Sequence, residues 1–234
     1  MIGTICNTVA IIAGSCIGGT IRHGLNEKFQ NVLYTAMGLS AAGIGLNSVI
    51  QNMPSSTYPV LFIVSLAAGG VIGTALDLDG RFNRFVNSRS KSSSEGNDLG
   101  RGLSTAIMLF CIGALSILGP VESALNGNET LLFTNAMLDF VTSMVLASTY
   151  GYGIAAAAGV LFCWQGSIWV LARWLAPLLT GGLMCELSIV GGFLIFASGL
   201  SILKIKEIST MNLLPAIFIP PIWFAFVALT GILV

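Results

Sequence analysis

The sequence predicts an all-α, polytopic membrane helix bundle. Three observations carry that prediction. The 234-residue chain is 55% hydrophobic and only 9% charged, with a mean hydropathy of +0.88, whereas soluble domains carry roughly 25% charged residues. Its apolar residues gather in stretches of about twenty, the length at which a helix crosses a roughly 30 Å hydrocarbon core. Its basic residues sort to one side of those stretches.

Taken in order, Ile2–Ile21 has no basic residue before it and Arg22 and Lys28 after it. These flanks are the reverse of a secretory signal and predict an uncleaved span with the N-terminus outside. Val32–Ile50 and Tyr58–Leu76 are the second and third spans. The polar stretch 77–101 carries the Ser-rich run Ser88–Asp98 and reads as a flexible cytoplasmic loop. Leu103–Leu118, the fourth apolar segment, is short and ends at Gly119-Pro120, so it reads as a broken span. Leu131–Thr149, Ile154–Trp174, Leu183–Leu203 and Leu213–Leu233 follow. That makes eight spans with both termini outside. Nine of the ten basic residues then fall on inner loops, and only Arg173 lies at an outer end.

Gly38–Asn47 aligns with Gly192–Ser201, and Pro59–Ile63 with Pro215–Ile219. The offset is five spans, an odd number, so the copies would have opposite topology, as in transporters built from inverted repeats. Chance similarity between apolar helices explains the match equally well. On the repeat reading the single transmembrane domain 1–234 has copies at 1–76 and 154–234 around a central unit 102–151. Small-residue pairs such as Gly14 with Gly18, Ser15 with Gly19 and Gly69 with Gly73 have the spacing of close helix packing. The pair Gly69–Gly73 is also a candidate contact of a homodimer.

Several stretches resemble a known bacterial family. They are Ile2–Asn7 with Ala10–Gly14, Ala36–Leu39, Phe110–Gly113, Ile117–Gly119, Leu138–Phe140, Ala147–Thr149 with Gly151, Gln165-Gly166 and Asn212–Ala216. Together they cover nearly the whole chain. The family is the domain of unknown function 554, the YdfK- or YqgA-like inner-membrane proteins. The resemblance implies a bacterial inner-membrane protein proposed to be a transporter, with no catalytic residues and no established substrate. The family pattern often has Gly after the aspartate, where this chain has Phe140, a departure that argues against close backbone packing there.

Asp139, near the middle of its apolar segment, is the sharpest functional signal, because an acid at that depth is costly and usually functional. Asn135, Asp139 and Thr142 share one helical face and offer the oxygen atoms that suit a hard cation. Asn7, Gly113 and Gly119 complete the candidate site, with a sodium ion or a proton at Asp139 as the expected ligand. The structural alternative is a carboxylate satisfied by Asn7, Gln165 or free backbone amides. Glu122 reads as solvent-facing, Glu186 as a first-turn residue of the seventh helix, and Asn47 as a buried amide. The five cysteines read as packing residues and not as metal ligands or disulfides. A nucleophile elbow, a Walker loop and paired histidines are all missing from the sequence, so an enzyme is not expected. Nor is a basic patch with interleaved aromatics present, which argues against nucleic-acid binding.

These features point to an ion-coupled secondary transporter of a small polar solute, with the lipid bilayer as its surroundings. A non-transporting scaffold or regulatory protein is the alternative, with Ser88–Asp98 as a regulatory tail. A channel would need a ring of charges or a filter motif, and neither is visible.

Overall fold

The computed structural model describes residues 1–21, 27–81, 84, 98–112, 114–175 and 180–230. The helices are α1 Ile2–Thr20, α2 Glu27–Asn52, α3 Leu61–Ala75, α4 Asp98–Ile112 and α5 Ala114–Asn126. They continue with α6 Thr130–Tyr150, α7 Ala157–Leu175, α8 Gly181–Ile202, the single turn α9 Thr210–Leu213, and α10 Ile219–Thr230. There is no strand among the described residues. Local chemistry sets several ends. Pro54 opens a tight turn that stops α2, since proline cannot donate to the helix ladder. Gly151, at φ 86°, ends α6 in a conformation that a side chain would oppose. Thr180 caps α8 by accepting the Leu183 N–H.

Six helical stretches are long and apolar enough to cross a membrane: Ile2–Thr20, Asn31–Ser55, Thr130–Tyr150, Tyr152–Trp174, Gly181–Ile202 and Thr210–Thr230. The pair Thr105–Cys111 and Leu115–Asn126, bent by 42°, makes a seventh if it crosses as one. The expected third span is a shorter helix, Leu61–Ala75, of 15 residues, about 22 Å long at 1.5 Å per residue. The expected break at Gly119-Pro120 is corrected. The helix runs through Pro120, and the 42° bend falls between Cys111 and Leu115. Membrane helices tolerate an internal proline where neighbouring groups satisfy the backbone it frees.

The chain forms two compact units, residues 1–37 with 82–176 and residues 38–81 with 177–234. In the first, α1 and α6 lie side by side and run in the same direction. Gly3 meets Leu132, Gly14 meets the Phe140 carbonyl and the Ser143 hydroxyl, and Gly18 meets the Met144 carbonyl. Any Cβ at these glycines would collide with α6, which explains the small residues of α1. The predicted obstacle at Phe140 does not arise, because α1 supplies the missing Cβ at Gly14. The outer face of α1 carries Ile2, Ile5, Val9 and Ile12, all exposed, while Thr4, Asn7 and Ser15 are buried. Apolar outside and polar inside is the arrangement that lipid favours.

The pair α4 and α5 runs antiparallel to α6 along its whole length. Gly102 packs on Tyr150 at one end of α6, and Gly119 packs on Leu132 near the other. The core is closed by Ile11, Phe110, Ala147, Ile154 and Leu161.

At the start of α6, Glu129 ties the ends together. Its carboxylate accepts hydrogen bonds from the Met1 ammonium at 3.1 Å, the Gly3 N–H at 3.0 Å and the Ser123 hydroxyl at 2.8 Å. Burial works against the charge, but these donors together hold the carboxyl below its usual value of 4.5.

In the second unit α8 lies antiparallel to the later part of α2. Gly45 meets the Gly192 carbonyl, and Gly199 meets the Gly38 carbonyl. Gly69 and Gly73 are buried against Ala216 and Asn212, so this pair is used within the fold and is not free for a homodimer contact. Glu186 is corrected as well. It lies beyond the first turn of α8 and is 1% exposed. Its Oε1 accepts from the Ser56 hydroxyl at 2.6 Å and the Tyr58 N–H at 2.9 Å, binding α8 to the connection that leads into α3. Asn47 is exposed and accepts from Gln51, so it is not a buried amide. Of the run Ser88–Asp98 only Asp98, the first residue of α4, lies within the described residues.

Two predictions follow from this packing. Gly18→Leu should cost about 1–3 kcal/mol or more through overpacking against the α6 backbone. Gly159→Ala, where a Cβ meets nothing within 4 Å, should be neutral or slightly stabilising. Melting temperatures in mild detergent compare the two. For Glu129, the lowered folded value means its contribution is complete above the unfolded value and is lost as pH falls through the folded one. The wild-type melting temperature should therefore drop on acidification below about 4.5. Glu129→Gln should begin lower, by about 1 kcal/mol at neutral pH, and show a flatter acid limb.

Candidate functional site

Asp139 is the tenth residue of the 21-residue α6, and the helix geometry puts its carboxylate on the face that meets α1. It is 5% exposed. The Asn7 side-chain amide of α1 donates to Asp139 Oδ2 at 2.8 Å, and the Asn135 amide, one turn earlier on α6, donates to the same oxygen at 2.9 Å. Asn7 is fully buried and Asn135 nearly so. An ionised carboxylate can only accept, so both amides must turn their NH2 groups toward it. The amide oxygen of Asn7 is then left without a donor. Among the described residues Oδ1 of Asp139 accepts no hydrogen bond, and Asp139 makes no ion pair. Two neutral amides hold one oxygen of a buried acid, and among the described residues no side-chain cation balances it.

The helix junction lies at the same depth. Gly102 opposite Tyr150 and Gly119 opposite Leu132 fix the register of α4 and α5 against α6. That register brings Ile112 and Ala114, on either side of the junction, level with Asp139. Cys111 at the end of α4 is buried and lies within electrostatic reach of Asp139. The bend therefore lies at the level of the acid and not at Gly119-Pro120.

Of the six residues expected in the site, Asp139, Asn135 and Asn7 form one hydrogen-bonded group. Thr142 is buried on the same face of α6, but its hydroxyl makes no bond to Asp139. Gly119 packs against Leu132 away from the carboxylate. Gly113 lies outside the described residues. Gln165, named as a partner for Asp139 on the structural reading, instead donates to the Ser116 hydroxyl at 3.2 Å. Ser116 and Thr4, both fully buried, were not singled out in the sequence. The one signal for Thr4 is its position one turn before Asn7, on the same face of α1. The chain's five cysteines are free, with Cys6, Cys16 and Cys163 exposed and Cys111 and Cys185 buried. No group of three or more His, Cys, Asp or Glu side chains comes together among the described residues. A site of that kind would suit a transition metal or a strongly held divalent ion.

Comparison with known proteins agrees with this membrane architecture. A family model described as a protein of unknown function, DUF554, matches residues 2–225. The uncharacterized membrane protein YdfK of Bacillus subtilis (strain 168) is 56% identical over 222 residues, covering 95% of each chain. The uncharacterized protein YqgA of Escherichia coli (strain K12) is 28% identical over 227 residues, covering 94% of each chain. No solved structure matches the chain. A match over almost the full length, with buried polar groups facing inward and apolar helices facing outward, makes this chain a member of the DUF554 family of membrane proteins.

Proposed function

We propose that the protein is an ion-coupled secondary transporter of a small polar solute in the bacterial inner membrane, with Asp139 as the group that takes the coupling cation. The observation that carries the reading is the buried Asp139 carboxylate, bonded by Asn7 and Asn135 with no side-chain cation beside it. A charge in that setting needs a mobile counter-charge, and a gradient-driven carrier uses such a group. The α4–α5 junction at the same depth supports the reading, since transporter sites gather where helices are interrupted near the midplane.

On this reading the chain follows a path of eight crossings with both termini outside, in which α3 and its preceding turn form the third crossing. α1 and α6 run in the same direction, as the first and fifth members of such a path must. The inverted-repeat reading draws support from the second unit, where the aligned parts of α2 and α8 lie antiparallel and meet through Gly45 with Gly192 and Gly38 with Gly199.

The test is uptake into proteoliposomes of a broad panel of labelled amino acids, carboxylates and amines under an imposed sodium or proton gradient. Wild type should accumulate at least one solute in response to one gradient. Asp139→Asn should insert normally and lose about tenfold or more of the gradient-driven uptake, a loss of the size seen when groups supporting an ion site are removed. Absence of flux with either ion across the panel would instead favour the scaffold reading. Unchanged ion dependence in Asp139→Asn would remove the acid from the mechanism.

A further inference from the structure

The buried polar atoms of the first unit extend beyond Asp139 and its two amides. Thr4 and Asn7 on α1, Ser116 on α5 and Gln165 on α7 are each 0% exposed. Three of their oxygens have no partner: Thr4 Oγ1, Asn7 Oδ1 and Gln165 Oε1. Buried acceptors without donors are rare, because each costs the hydration it has lost.

The helix register gathers these groups. Asn7 reaches Asp139 directly, and Thr4 lies one turn earlier on the buried face of α1. Gly119 sits against Leu132, so Ser116, one turn before it on α5, comes level with Asn135. Gln165 bonds to that same Ser116. A Cβ at the adjacent Gly166 would lie 3.8 Å from Met1 Cε, which places this part of α7 beside the first turn of α1. Four helices thus present oxygen atoms to one level of the unit.

We propose that this shell binds a dehydrated monovalent alkali cation, with sodium as the working ligand, through the Asp139 carboxylate, Asn7 Oδ1 and the Thr4 hydroxyl, and with the Ser116–Gln165 pair closing its far side. The inference rests on the transporter reading of Asp139 and decides which ion the site takes. A proton on Asp139 would neutralise the acid but supply a single donor for the two stranded amide oxygens, Asn7 Oδ1 and Gln165 Oε1. A buried water could donate to two of them but would leave the carboxylate charge unbalanced. One small hard cation meets both needs, because it accepts several oxygen ligands and carries the charge. A single carboxylate fits a monovalent ion better than a divalent one, which ordinarily draws on more acidic ligands.

The experiment uses the purified full chain in mild detergent at pH 7.5 and constant ionic strength. Sodium chloride replaces choline chloride, with potassium chloride in parallel, and melting temperature is the readout. A ligand that binds only the folded state raises the melting temperature in a saturable way. Wild type should show that rise with sodium and a weaker one with potassium. Thr4→Val should shift the half-saturating sodium concentration up by about tenfold, while Thr4→Ser, which keeps the hydroxyl, should restore it. Asp139→Asn should lose the rise. A melting temperature insensitive to sodium, with a pH response that disappears in Asp139→Asn, would overturn this inference in favour of a proton and leave the transporter reading standing. Equal sodium responses in Thr4→Val and wild type would also overturn the assigned shell. Identical sodium and pH responses in wild type and Asp139→Asn would overturn both readings.

Discussion

The hydrogen bond from the Asn7 amide to the Asp139 carboxylate, 2.8 Å long and fully enclosed, is the interaction on which the first unit depends. It joins residues 132 positions apart and sets both the register and the direction of α1 against α6. A hydrogen bond to a charged group contributes about 1.5–3 kcal/mol, and in a low-dielectric interior an unmatched partner costs more than that. Asn135 adds a second donor from within α6 itself. The two amides orient the acid without neutralising it. A salt bridge would have fixed the charge permanently, whereas neutral donors leave it unbalanced, as the proposed cation exchange requires.

The glycines of α1 make that bond reachable. Gly3, Gly14 and Gly18 remove the side chains that would hold α1 away from Leu132, Phe140 and Met144, so a short amide side chain can span the gap. At the start of both helices the Glu129 network closes the same pair with a second set of charge-assisted bonds. The two attachments differ in character. Glu129 has a counter-charge and three donors and works as a structural tie, while Asp139 has neutral donors only. The second unit repeats the use of a buried acid in Glu186, which bonds to Ser56 and Tyr58 and binds α8 to the turn before α3.

Much of this was legible in the sequence, because the bilayer imposes simple rules on composition. Apolar length located most of the helices, and the cost of an intramembrane acid singled out Asp139, with Asn135 on its face. Asn7 is legible both as a site residue and as an amide able to satisfy Asp139, and the structure has it donating to that carboxylate. The junction was misplaced because Gly119-Pro120 has the local signature of a helix end. The helix nevertheless continues through Pro120, which no local rule reports. Glu186 was read as a first-turn residue for a similar reason, since its partners lie about 130 residues away in the chain. Ser116 and Thr4 are ordinary polar residues in helical segments, and only their convergence with Gln165 gives them meaning. The third helix is shorter than its apolar stretch because Tyr58–Val60 forms a turn in which Tyr58 serves as a donor to Glu186.

The most direct test of the account is a double-mutant cycle on Asn7→Ala and Asp139→Asn, read as unfolding free energy in mild detergent at neutral pH in choline chloride. The two side chains share one buried bond, so the single and double variants should be strongly non-additive, with a coupling of about 1–3 kcal/mol. Additive effects, within about 0.5 kcal/mol, would mean that Asn7 and Asp139 do not meet and would contradict the α1–α6 register from which the site is built.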